Sequence, residues 1–343
     1  MDPSFSSFRA ERALRHRAPD PYNRYHMRSF RALRVLSLLA LASVSLAVLL
    51  VPTPALAWGP LAHLNFSAQA LANLSAAQPS IRGMLQEFGN EFLYGSLAAD
   101  IVVGKNLARY VHHCHNWRVG FGVLKQARGP SERAFSLGFL SHLAADTVAH
   151  NYFVPYKTVY SFHKASTRHA YWELRYDQRM DAALTKLARR VSARAYRDHD
   201  EFLKHALGPA SVLPFAVSKQ LFGSLLASAR TERFQEFSRL ALARERRLVL
   251  EPDLVTETDA LAVEAILGLL AEGERCRAAT ADATGARNIR MAQELRKNLK
   301  LRAGRLGLPR ADAHLIAAET RESFRKAIHG KLVLPSSVAR LAA

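Results

Sequence analysis

Only two cysteines occur in the 343 residues, Cys114 and Cys276. A disulfide framework and a thiolate zinc site are therefore excluded, and any metal must be held by His, Asp and Glu. Strand signals are equally scarce. No long period-2 run of β-branched residues occurs, whereas apolar residues recur at intervals of three and four in most windows. The expected fold class is all-α. Internal repeats are absent. Aromatic residues are few, at 9%, but a hydrophobic share of 49% suffices for one large domain or two modest ones. Acidic residues are outnumbered, 29 against 48 Lys and Arg, a net +19. Residues 1–57 hold 8 of the basic and 3 of the acidic side chains, leaving 40 and 26, a net +14, on the remainder. Such a surplus favours anionic partners such as a phospholipid surface or nucleic acid, and equally describes a helical protein with solvated basic faces.

What is present begins with a targeting pattern. From Met27 the chain reads MRSFRALRVLSLLALASVSLAVLLVPTPALA, a basic start and an apolar run ending in the small-x-small sequence Ala55-Leu56-Ala57. This predicts export with cleavage after Ala57, so that Trp58 becomes the first residue of the mature chain. The 26 residues before Met27 are polar and Arg-rich, and Met27 is an alternative start. The competing expectation is an uncleaved membrane anchor over Val35–Val51; Pro52, Pro54 and the Ala-x-Ala sequence favour cleavage.

Beyond Trp58 the periodicity predicts helices at about 60–76, 79–90, 131–150, 165–195, 214–228, 230–249, 254–277, 283–303 and 310–328. Residues 104–130 read as loop apart from a helix-compatible stretch near 117–126. Apolar periodicity lapses at 278–284, ATADATG. The expected organisation is an export segment at 1–57, a helical domain at 58–277 and a basic helical extension at 278–343. After about residue 178 there is no second cluster of ligand-type residues.

The strongest local feature is SHLAADTVAHNY, where His142, Asp146 and His150 are spaced i, i+4, i+8. Each step of four turns the side chain by only about 40°, so the three project from one face of a helix. Leu143, Ala144, Ala145, Val148 and Ala149 between them are small or apolar, which predicts burial. A buried carboxylate needs compensation, and a divalent cation is the simplest source. A core His-Asp hydrogen bond is the plainer alternative, and the third ligand-type residue on the face weighs against it. A second helical pair, His169 and Glu173, completes a three-ligand set with His150. His63 in WGPLAH, Asp100 in YGSLAAD, and His112, His113 and His115 in VHHCHNW are further candidates.

In order, these blocks are Trp-Gly-x-x-x-His, Gly-Ser-x-x-x-Asp, His-x-His-Asn-Trp, His-x-x-x-Asp-x-x-x-His and His-x-x-x-Glu. As a set over residues 58 to about 178 they resemble the zinc-dependent phospholipase C family, which includes the catalytic domain of GPI-specific phospholipase D and is related to the S1/P1 nucleases. The resemblance implies a phospholipase C/P1 nuclease-like multi-helix domain and a Zn²⁺ cofactor, three ions per chain. The terminal amine and carbonyl of Trp58, with His63, would hold one zinc. Asp100, one of His113 or His115, His142 and Asp146 would hold a second, Asp146 bridging the two. His150, His169 and Glu173 would hold the third. The three residues between Asp146 and His150, where the phosphatidylcholine-type enzymes and the nucleases have five, look more like the GPI-phospholipase D domain.

The activity so implied is phosphodiester hydrolysis by metal-activated hydroxide, with Asp100 orienting or deprotonating the water. Export and the basic surface suit a glycerophospholipid substrate at a membrane surface. Two alternatives stand beside it. A single-strand nuclease would need aromatics for base stacking, for which Trp117, Tyr152, Phe153, Tyr156 and Tyr171 are candidates, although such residues are more often core. A non-catalytic, zinc-stabilised lipid-binding protein is the other. No protein partner is implied.

Overall fold

The computed structural model describes residues 58–101, 115–163, 172, 175–193, 196–208, 217, 219, 220 and 250–342. Among them every regular element is helical. The order is α1 (Pro60–Ala72), α2 (Pro79–Glu87), α3 (Gly89–Ala98), α4 (Trp117–Gln126), α5 (Pro130–Val148), a π-helical turn (Ala149–Phe153), α6 (Val154–Tyr160), α7 (Ala182–Ala193), α8 (Arg197–Leu207), α9 (Pro252–Glu272), α10 (Ala286–Arg305), α11 (Arg310–Lys326) and α12 (Ser336–Ala342). Pro60, Pro79, Pro130 and Pro252 each open a helix, where a fixed φ and a missing N–H cost nothing.

Helix α5 is the axis of the fold. Every residue from Ala134 to Val148 is buried, and the helix packs against α1, α3, α4 and α9. Its approach to α3 is set by two glycines. A Cβ added to Gly95 would lie 1.9 Å from the Phe135 carbonyl oxygen, and one added to Gly138 would lie 1.9 Å from that of Phe92. The two backbones are in mutual contact, which no larger residue at either position permits.

Helix α3 was not legible as a separate element, since the expected 79–90 helix ends at Glu87 and a new one starts at Gly89. The reason is burial: Glu91 to Ala98 are all enclosed, so the segment carries no amphipathic period. The helix expected to stop near 150 instead continues through the π-turn into α6. Pro155 removes one N–H from the ladder, and the wider turn ahead of it accommodates the ring. The helices expected at 214–228 and 230–249 lie almost wholly outside the described residues, as does the apolar run at 35–51. Among the described residues no helix is long and apolar enough to cross a membrane.

All described residues fall within one compact unit, Leu49–Ala343, and one core cluster runs from Trp58 and Phe66 to Leu295 and Phe324. Helices α10 and α11 pack on α6. Residues 278–284, where periodicity lapses, are not a free linker. Their carbonyls accept from the Trp117 indole (Ala281, 2.9 Å), the Asn151 amide (Asp282, 2.8 Å) and the His150 ring (Ala283, 2.5 Å).

Candidate metal centre

Four separate stretches of chain deliver the converging side chains. Helix α1 carries His63, the turn after α3 carries Asp100, the residues before α4 carry His115, and α5 carries His142 and Asp146. The start of α1 has no capping side chain of its own, because the residue before it is Gly59. Asp177 supplies the cap from 116 residues away, accepting from the N–H groups of Leu61 (3.2 Å) and Ala62 (3.0 Å). A Cβ on Gly59 would sit 2.1 Å from that carboxylate. Burial pushes the Asp177 carboxyl up to about 7, against the pull of the two backbone donors. Trp58 precedes this cap. Its buried indole donates to the Ala145 carbonyl at 3.2 Å and packs on Phe66, Phe153 and Tyr176.

Asp146 is the hub. Its Oδ1 lies 3.4 Å from His63 Nε2, and its Oδ2 lies 3.3 Å from His115 Nε2 and 3.4 Å from His142 Nε2. Asp100 Oδ1 stands 3.5 Å from His115 Nε2 and 3.7 Å from His142 Nε2. The His115 and His142 Nε2 atoms face one another at 2.9 Å, and the His63 and His142 rings stack with centroids 3.6 Å apart. Two overlapping triads result, His63/Asp100/His142 and His115/His142/Asp146, each with its ligand-type atoms within 4.8 Å of one another.

Orientation comes from the backbone. His142 Nδ1–H donates to the Ser96 carbonyl at 2.9 Å, which places the lone pair on Nε2, towards the carboxylates. Close contact at Gly95 and Gly138 brings α3 near enough for that bond. His150 is held likewise, its Nδ1–H donating to the Ala283 carbonyl, with Nδ1 3.9 Å from Asp146 Oδ2. It sits in the π-turn, and the common face inferred from the spacing does bring it to Asp146 but leaves it outside both triads. The turn's extra residue changes the angular step there.

Protonation suits metal ligation. Burial, and then the neighbouring His142 charge, lower the His63 pKa against the opposing pull of Asp146 and Asp100. Burial alone would raise Asp146, but the imidazoles of His150, His142 and His63 packed around it hold it well below the usual carboxylate range. Neutral imidazoles and ionised carboxylates are the forms that bind cations. His63 Nδ1 and Asp146 Oδ1 are buried without a hydrogen-bond partner. Buried polar atoms left this way in a carboxylate–imidazole nest fit a divalent cation such as zinc.

Of the remaining sequence candidates, His113, His169 and Glu173 lie outside the described residues, as does His112. Among the aromatics considered for base stacking, Tyr152, Phe153 and Tyr156 are buried in the core and the Trp117 indole is bonded to Ala281; Tyr171 lies outside the described residues. Asp177 was not foreseen, although a helix opening Gly-Pro without a capping residue leaves N–H groups that need an acceptor from elsewhere. Ala283 was missed because a backbone carbonyl has no sequence signature.

No curated protein and no solved structure matches the chain. One family does: the model described as zinc dependent phospholipase C matches residues 62–208, a span that includes every residue of the two triads and stops short of Ala283. Residues 62–208 are a domain of the zinc-dependent phospholipase C family.

Proposed function

We propose that the protein is an exported phospholipase C that hydrolyses glycerophospholipids, its chain cut between Ala57 and Trp58. Family membership supports a phospholipase C-like phosphodiester hydrolase that uses zinc. The observation that carries the reading is the convergence of His63, Asp100, His115, His142 and Asp146 on one buried nest. His63 and the freed amine and carbonyl of Trp58 would hold one zinc, and Asp100, His115 and His142 a second, with Asp146 available to both. His150, with His169 and Glu173, would hold a third. When bound, the zinc ions lower the pKa of water and neutralise charge on the phosphoryl oxygens.

The rest falls to the chain's own residues. The Asp100 carboxylate orients the attacking water and accepts its proton. The carbonyls of Ser96 and Ala283 hold His142 and His150 in the ligating tautomer. Apolar packing of α5 excludes bulk water from the back of the nest, which strengthens every electrostatic contact inside it. The products are diacylglycerol and a phosphorylated head group. Chelator-sensitive release of phosphocholine from phosphatidylcholine by the secreted protein, with a mature mass starting at Trp58 and about three zinc per chain, is the expected result. Turnover of single-stranded DNA in place of lipid, or of neither, overturns the substrate assignment; a retained Ala57 overturns the Trp58 ligand.

A further inference from the structure

Four of the five most exposed large apolar side chains among the described residues lie in the C-terminal part: Leu301 (43%), Leu306 (68%), Leu315 (66%) and Val333 (72%). The first two sit on α10 and just beyond its end, where the chain turns at Gly307 (φ +74°) into α11. They are set in cations. From Ala286 to Arg310 the chain has eight Lys or Arg and one acidic residue, Glu294. Lys297, Lys300, Arg305 and Arg310 are exposed and make no ion pair among the described residues. Buried Ile289, Ala292, Leu295 and Leu299 hold the opposite face of α10 to the core, so the exposed stripe is presented outward by a fixed helix.

We propose that the exposed face of α10 and its turn into α11 are a docking surface for anionic phospholipid bilayers. Lys297, Lys300, Arg305 and Arg310 engage lipid phosphates while Leu301 and Leu306 enter the boundary of the acyl region. Charge complementarity selects this occupant, and the leucines select lipid over nucleic acid. A single-stranded nucleic acid would be gripped by aromatic stacking, and residues 286–310 contain no aromatic side chain. The surface lies outside the matched family span and so adds to the metal centre a means of reaching an aggregated substrate. In its choice of phospholipid it rests on the function proposed above.

The test is sedimentation of the zinc-loaded full-length mature protein with phosphatidylcholine vesicles, with and without phosphatidylserine, alongside hydrolysis of a soluble short-chain phosphatidylcholine. Wild type is expected to partition onto the mixed vesicles in a salt-sensitive manner. The quadruple variant K297Q/K300Q/R305Q/R310Q should lose about a hundredfold or more of that partition, since each cation near such a surface contributes about fivefold. Leu301→Ser with Leu306→Ser should lose about tenfold or more on both vesicle types. All six positions are solvent-facing, so helix content, unfolding midpoint and turnover of the soluble substrate should stay unchanged in both. Unchanged partition in either folded variant overturns the proposal, as does retention on single-stranded DNA with none on vesicles. Vesicle binding without turnover of the soluble lipid instead overturns the phospholipase reading and leaves the docking surface standing.

Discussion

Two groups of histidines, one buried and one half-buried, differ in what surrounds them. His63, His115 and His142 meet two carboxylates, Asp100 and Asp146, within hydrogen-bond or ion-pair range. His163, just beyond the end of α6, and His314 on α11 meet aromatic rings: their centroids are 4.9 Å apart, and Phe162 and Tyr160 pack on His314 at 5.0 and 5.4 Å. Burial, and then the charge of Arg310, lower the His314 pKa, leaving it neutral, and no carboxylate joins it in a metal-type cluster among the described residues. An imidazole such as His314, with no acid contact among the described residues, packs as a small aromatic. It is the carboxylate that turns packed histidines into a cation site, because only a fixed negative charge offsets the desolvation of the metal.

The sharpest way to break this contrast is to remove the carboxylate. Asp146→Asn should weaken zinc binding by at least about a hundredfold, more than loss of an outer hydrogen-bond partner would cost. It should also forfeit most of the roughly 4 kcal/mol that zinc contributes at a thousand times its dissociation constant. Metal analysis after dialysis and thermal unfolding with and without chelator read both effects; full zinc content in the variant would refute the hub role. Next in size, Gly95→Ala should destabilise by about 3 kcal/mol, because its methyl group meets the Phe135 carbonyl and forces α3 off α5. Denaturant titration measures it, and a change below about 0.5 kcal/mol would show that the helices separate freely.

Asp177 gives an effect of similar size that depends on pH. Its folded pKa of about 7 exceeds that of the unfolded chain, so the folded state binds the extra proton between about pH 4 and pH 7. Its contribution is therefore most favourable at low pH and is lost as pH rises through 7, by on the order of 4 kcal/mol for a shift of about three units. Comparing metal-free wild type with Asp177→Asn across this window isolates it. A wild type no more pH-dependent than the variant would rule it out. The smallest effect tests the other histidine group: His314→Phe should alter stability by less than about 1 kcal/mol and leave zinc content untouched. Loss of metal there would erase the distinction between the two groups.

How much could be read beforehand depended on the kind of signal. Helix α5 was legible because its ligand-type residues repeat every four positions among small apolar neighbours, and α1, α9, α10 and α11 because each has one apolar face. Helix α3 was not, being enclosed on all sides. Neither was the π-turn that carries His150, since its extra residue depends on how α6 packs rather than on composition. Trp58, His63, Asp100 and His115 were individually weak signals, and their order along the chain gave them weight.

Taken alone, the residues determined that this chain is helical, that any metal is held by imidazole and carboxylate, and that the acid sits one turn from a histidine on a buried helix. These follow from periodicity and from ligand chemistry, which are local. Only the tertiary structure decided which histidines share a carboxylate, that Ser96 and Ala283 fix two ring orientations, and that Asp177 caps a helix from 116 residues away. Those contacts join backbone atoms and side chains distant in sequence, and their geometry exists only after the helices have closed on one another.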